Sequence, residues 1–161
     1  MTQKEQYMSR CCELALRGYG LVNPNPMVGC VIVKNGRIIA EGFHKKFGEA
    51  HAEINALKKA GRRAKGATLY VNLEPCVHFG KTPPCADAIV KAGIEKVVAA
   101  VSDPNALVAG KGFRKLRRAG LRVESGVLRD VAEKLNEKFF MFMKTYFYLI
   151  KKLHARRSYL T

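Results

Sequence analysis

The run Val28-Gly29-Cys30-Val31-Ile32-Val33-Lys34-Asn35-Gly36-Arg37-Ile38-Ile39-Ala40-Glu41-Gly42-Phe43 reads as a β-hairpin. Residues 28–33 are apolar and rich in β-branched side chains, which fit a pleated, half-buried surface. Asn35-Gly36 suits a two-residue type I′ turn, where both positions need positive φ, and residues 37–43 return along the first strand. The sheet therefore begins antiparallel.

Downstream the pattern changes. Residues 44–48 form a loop, 50–60 a helix stopped by Gly61, and 67–72 a buried strand. A loop over 73–81 carries Cys76. Thr82 can then N-cap a helix with Pro83 at its first position, running to Lys91 and closing at Gly93. Residues 96–101 are another buried strand with 102–105 as its exit loop, followed by helix 112–119, strand 121–125 and a helix from 129 to about 143. Strands that alternate with helices predict an α/β fold in which the later strands pair in parallel, with helices on both faces.

Upstream, Tyr7, Met8, Cys11, Leu14 and Ala15 share one stripe of a helix over 3–17, with Gly18 as its C-cap. Asn23-Pro24-Asn25-Pro26 is a stiff loop, because each Asn precedes a Pro and is pushed toward extended geometry. Residues 1–144 read as one domain without internal repeats. Residues 145–161 mix Tyr146, Phe147 and Tyr148 with Lys151, Lys152, Arg156 and Arg157 and show no clear period. They read as a C-terminal tail: a helix extension, a partner-binding segment or a frayed end.

The chain has 161 residues, 48% of them apolar, enough for a packed core and too many for a disordered chain. No run approaches the ~20 apolar residues of a membrane span, and the polar start is no signal peptide, so a soluble cytoplasmic protein is expected. Five cysteines in such a chain suggest metal or free thiols rather than a disulfide framework. Net charge is +16, from 29 Lys and Arg against 13 Asp and Glu, concentrated in 58–65 and 111–122. That excess suits an anionic partner, a phosphorylated metabolite or nucleic acid, although most such charges simply solvate helix faces.

The chemistry gathers at His51-Ala52-Glu53, Pro75-Cys76 and Cys85. One imidazole and two thiols can hold zinc with the fourth position open to water, and a carboxylate beside that water can move its proton. Residues two apart on a helix point to nearly opposite sides. Side chains lean toward the helix N-terminus, however, so His51 and Glu53 can both reach an ion just beyond that end. Helix dipoles there favour thiolates. A closed structural site would need a fourth protein donor, for which Cys30 and His78 are the spare candidates. Cys11, Cys12 and Cys30 read as small buried hydrophobes.

These residues resemble the cytidine-deaminase-like superfamily, in most nucleic-acid and nucleotide members of which only two residues separate the two cysteines. Here Val-His-Phe-Gly-Lys-Thr-Pro-Pro separates Cys76 from Cys85. The run Glu74-Pro75-Cys76-Val77-His78-Phe79-Gly80-Lys81-Thr82-Pro83-Pro84-Cys85 resembles the deaminase domain of the bifunctional riboflavin-biosynthesis deaminase–reductases. So do Asn25-Pro26-Met27-Val28-Gly29, Gly48-Glu49-Ala50-His51-Ala52-Glu53, Asp103-Pro104-Asn105 and Leu107-Val108-Ala109-Gly110-Lys111-Gly112, and the likeness runs from about Tyr7 to Met143.

The resemblance implies a three-layer α/β/α sandwich on a five-stranded mixed sheet. It implies zinc on His51, Cys76 and Cys85, Glu53 as proton shuttle, and substrate contacts at Asn25, His44, His78, Lys81, Asp103 and Asn105. The implied reaction is hydrolytic deamination of 2,5-diamino-6-(5-phosphoribosylamino)pyrimidin-4(3H)-one to 5-amino-6-(5-phosphoribosylamino)uracil and ammonia. His44 and Lys81 offer the cationic character that a phosphoribosyl tail requires. Asp103 and Asn105 lie past a strand's C-terminal end, where open α/β sheets bind ligands.

Two departures stand out. Ala106 replaces the family's usual proline after Asp-Pro-Asn. The family's reductase domain has no counterpart in these residues, so tail 145–161 reads as its stub and no nicotinamide cofactor is expected. Two other functions compete: a nucleic-acid or nucleotide deaminase, and a non-catalytic zinc module that docks on a separate reductase. The cysteine spacing and the lack of aromatics among the basic runs argue against a polymer substrate. Glu53, unnecessary in a structural site, argues against the module. A small phosphorylated pyrimidine is the expected partner, with no membrane and no specific nucleic acid. A homodimer and a separate reductase stay open.

Overall fold

The computed structural model describes residues 1–79, 83–105 and 109–157. Helix α1 (Gln3–Leu16) is followed by β1 (Gly29–Lys34), β2 (Arg37–Phe43), α2 (Ala52–Ala60), a 3₁₀ turn over Gly61–Ala64 and β3 (Thr68–Leu73). Then come α3 (Cys85–Lys91), β4 (Lys96–Val101), α4 (Lys111–Arg118), β5 (Arg122–Ser125), α5 (Arg129–Leu135) and α6 (Glu137–Arg157). The five strands form one mixed sheet in the order β2-β1-β3-β4-β5. β1 runs antiparallel to both β2 and β3, while β3, β4 and β5 are parallel. Asn35 and Gly36 have φ of 51° and 70°, as a type I′ turn requires.

Alternation along the strands sorts the core into two layers. Cys30, Ile32, Leu69, Val71, Val97 and Ala99 face Ala52 and Ala56 of α2, Ala86 and Ile89 of α3, and Phe113 and Leu116 of α4. Val31, Val33, Tyr70, Val98 and Ala100 face Met8, Cys11 and Leu14 of α1, Ala132 of α5 and Phe140 of α6. The result is the expected helix–sheet–helix sandwich. Cys11 and Cys30 are buried free thiols in these layers, and Cys12 is a third buried free thiol. Among the described residues, no helix is long and apolar enough to cross a membrane.

Helix α1 ends at Leu16 with Arg17, not Gly18, as its C-cap, and several other element ends shift by a single residue. Three further departures have a local reason. The second helix begins at Ala52, because His51 is its extended N-cap with φ −68° and ψ 164°. The third begins at Cys85 with Pro84 in the N-cap position, not at Pro83. A residue that precedes proline is driven out of the α region, so Pro83 before Pro84 cannot open a helix well. Thr82 lies outside the described residues. The helix expected from 129 to about 143 is broken at Asn136, which has φ −109° and ψ 25°. Its side chain turns to Met27, with Oδ1 accepting from Met27 N at 2.8 Å and Nδ2 donating to Met27 O at 2.9 Å. The chain resumes as α6, which runs through residue 145 without interruption to Arg157.

Candidate active site

Three segments meet at one end of the sheet. Gly42 on β2 lets α2 approach closely: a Cβ there would lie 2.3 Å from Ala52 O, so another residue would push the helix start away. Asn55 Nδ2 donates to Phe43 O at 2.9 Å and to Ala50 O at 3.2 Å, tying the first turn of α2 to the strand that precedes it. His51 stands just before that turn and Glu53 inside it. Cys76 follows the end of β3, and Cys85 is the first residue of α3. The Cys85 N–H donates to Cys76 Sγ at 3.3 Å, and Ala86 N–H to Cys76 O at 3.1 Å.

The ligand-type atoms of His51, Cys76 and Cys85 all lie within 4.8 Å of one another. His51 Nδ1 is 3.3 Å from Cys85 Sγ and 3.6 Å from Cys76 Sγ. With bonds of ~2.3 Å to sulfur and ~2.0 Å to nitrogen, tetrahedral neighbours stand roughly 3.5–3.8 Å apart. The two His51–sulfur distances thus fit a tetrahedral metal ion, and the third separation lies within the 4.8 Å that bounds the set. The two thiols share one proton. Cys76 is held well below the usual thiol range, chiefly by the Cys85 hydrogen bond, and Cys85 is raised by that same bond and by burial. His51 is raised by its hydrogen bond to Cys76. A divalent cation at the centre would displace these protons and leave both sulfurs as thiolates. Among the described residues the cluster holds these three donors and neither Cys30 nor His78.

Glu53 is 3% exposed, with its carboxyl in hydrogen-bond contact with Cys85. Burial pushes it up to about 7, with the Cys76 charge adding to the rise. Glu53, His51 and Cys76 open onto a cavity of about 230 Å³ that Asn25, His44, His78, Asp103 and Asn105 also line. Lys81 lies outside the described residues. A larger hollow of about 570 Å³ between the 19–27 loop and the α5–α6 junction contains neither the donor set nor Glu53.

Two of these residues have surroundings that the sequence did not disclose. His44 was a candidate cation, yet its side chain is 2% exposed. Nδ1 lies 3.2 Å from Ala50 O, so it carries the hydrogen, and Nε2 accepts from Asn25 Nδ2 at 3.3 Å. Burial lowers its pKa, which favours the neutral ring in contact with Asn25. Asp103 is raised by burial, while its Oδ1 accepts from Asn105 N at 2.8 Å.

Sequence reading missed Phe139 and Met143, which wall the cavity from α6, and Glu74, which also lines it. The i, i+4 spacing of Phe139 and Met143 signals one helix face, but not which space that face borders.

Residues 1–101 match the model of the cytidine and deoxycytidylate deaminase zinc-binding region. The chain is 53% identical over 154 residues to the riboflavin biosynthesis protein RibD of Escherichia coli (strain K12), covering 95% of this chain and 42% of that protein. It is 52% identical over 139 residues to the diaminohydroxyphosphoribosylamino-pyrimidine deaminase of Buchnera aphidicola subsp. Schizaphis graminum, covering 86% of this chain and 95% of that one. RibD of Acinetobacter baumannii superposes with a TM-score of 0.87 at 55% identity, over 89% of this chain and 40% of that one. The chain thus spans about two-fifths of the RibD proteins it matches, and nearly all of the Buchnera deaminase. On the fold, the donor set and these likenesses together, the chain belongs to the zinc-binding cytidine and deoxycytidylate deaminase family, alongside the deaminase domains of RibD.

Proposed function

We propose that this chain hydrolyses 2,5-diamino-6-(5-phosphoribosylamino)pyrimidin-4(3H)-one to 5-amino-6-(5-phosphoribosylamino)uracil and ammonia, with residues 1–144 as the deaminase unit. The observation that carries the reading is the His51–Cys76–Cys85 set, its ligand-type atoms within 4.8 Å of one another, with buried Glu53 beside it and a small cavity in front. The named activity of the Buchnera relative, nearly all of which this chain matches, supports the substrate.

His51, Cys76 and Cys85 would hold zinc. When bound, zinc supplies the Lewis acidity that makes water a competent nucleophile near neutral pH. Glu53 takes the proton of the attacking water and delivers it to the neighbouring ring nitrogen. It then carries a second proton to the departing amine as the new C–O bond stays and the C–N bond breaks. A carboxyl near 7 is poised to give and take protons at neutral pH. Asn25, in contact with His44, offers donor and acceptor groups to a ring edge. Asp103, Asn105 and His78 supply the remaining polar wall, and Phe139 and Met143 an apolar one against the ring face. The resemblance of 74–85 assigns Lys81 to the phosphate.

The test follows ammonia and the uracil product together. Zinc-loaded protein should release one ammonia per product formed, activity should vanish after chelation, and zinc should restore it. Turnover that survives complete metal removal, or no turnover with zinc bound, would reject the reading.

A further inference from the structure

Glu74 is a fully engaged buried carboxylate that neither the donor set nor the proton pathway uses. It is 5% exposed and sits one residue before Pro75-Cys76. Its Oε2 accepts from Asp103 N at 3.0 Å and Gly110 N at 2.9 Å. Its Oε1 accepts from Gly112 N at 2.8 Å and Phe113 N at 3.2 Å. Its own N–H donates to Val101 O at 2.9 Å. One side chain thereby fastens both ends of the connection between β4 and α4. That connection carries Asp103 and Asn105 to the cavity wall.

Four converging N–H donors suit a carboxyl group's two oxygens. They offer about four lone-pair sites, whereas an amide would aim N–H against N–H on one side. Gly112 and Phe113 are the second and third residues of α4, so the carboxylate also meets the positive end of the helix dipole. The fit leaves no slack: a Cβ at Gly112 would lie 2.2 Å from Pro75 O and 3.0 Å from Glu74 Oε1. A surface ion pair would tolerate far more.

We infer that Glu74 is a positioning residue for substrate binding: it sets where Asp103 and Asn105 stand relative to Cys76, and so the distance between the polar wall and the metal donors. This rests on the proposed deaminase reading. Glu74 is not one of the metal donors, and its carboxylate acts through the backbone N–H groups of Asp103, Gly110, Gly112 and Phe113.

The experiment compares wild type, Glu74→Gln, Glu74→Asp and a control, Glu41→Gln, which breaks the Arg10–Glu41 pair on the far side of the hairpin. Each zinc-loaded protein is assayed for zinc content, kcat and KM, and for amide hydrogen exchange. Glu74→Gln should keep about one zinc per chain, raise KM roughly tenfold or more with a smaller change in kcat, and speed exchange at Asp103, Gly110, Gly112 and Phe113. Glu74→Asp, which keeps the charge but is one methylene shorter, should fall between, and it decides the matter if the Gln variant does not fold. Glu41→Gln should lose stability without moving KM. In an Asp103→Asn background, Glu74→Gln should add little further to KM, since the contact it positions is already altered.

Faster exchange with unchanged KM would reduce Glu74 to a structural residue and overturn the inference. So would fully additive effects in the double variant. If wild type itself is inert on the pyrimidine, the proposed function fails instead. Amide exchange alone then decides whether Glu74 holds the segment, and unchanged rates at Asp103 and Gly110 would refute it.

Discussion

Replacing Glu53 by Gln should separate activity from stability, in opposite directions. The substitution keeps size and removes both the charge and the transferable proton. General acid–base groups contribute ~10²–10⁴-fold, about 3–5 kcal/mol of barrier, so turnover should fall by that factor while zinc binding persists. Stability moves the other way. Burial raises the Glu53 pKa from an ordinary 4.5 to about 7. At about 1.36 kcal/mol per pKa unit, ionising this buried group costs the metal-free fold roughly 3 kcal/mol. A raised folded-state pKa means that its contribution to stability is fully present below 4.5 and lost as pH rises through 7. Metal-free Glu53→Gln lacks this loss. Its stability relative to wild type should therefore climb between pH 4.5 and 7 and level off above. Urea unfolding of both proteins across that range measures the difference, and ammonia release measures the rate. A pH-independent gap would refute the burial argument. Turnover within a few-fold of wild type would show that the proton travels elsewhere.

Two further outcomes follow from the donor set and the sequence. X-ray absorption at the zinc edge of the resting protein should report two sulfurs, one nitrogen and one light oxygen-type ligand, and Cys30 or His78 as a fourth protein donor would close the site and remove the hydrolytic role. Lys81→Ala should weaken the phosphorylated pyrimidine far more than its dephosphorylated analogue, and equal losses on both would detach Lys81 from the phosphate.

The architecture was legible where local chemistry decides it. Asn35-Gly36 forces the hairpin, and the apolar runs at 67–72 and 96–101 are buried strands, because a strand covered on both faces needs continuous hydrophobicity. What the sequence did not disclose depends on contacts far along the chain. The break at Asn136 exists because its amide grips Met27, 109 residues away. His44 offered a cation for the phosphate, but the structure buries its ring against Ala50 and Asn25, and burial lowers its pKa. Glu74 lay inside a quoted motif without a role, since its four partners are amides of 103–113 and no side-chain pattern announces them. The convergence of His51, Cys76 and Cys85 was readable because His51 caps the start of α2, Cys76 follows the end of β3 and Cys85 opens α3, so the order of elements brings them to one end of the sheet.

The net charge of +16 leaves a polynucleotide as the one serious rival substrate, because a chain this basic will attract polyanions at low salt. The most direct measurement is ammonia release at equal enzyme and physiological salt from the free phosphoribosyl-pyrimidine, from a tRNA pool and from single-stranded DNA. The account predicts rapid release from the free pyrimidine and none above background from either polymer, since a cavity of about 230 Å³ walled by Phe139 and Met143 suits a single ring. Faster release from a polymer would contradict it and return the basic helices to the active surface.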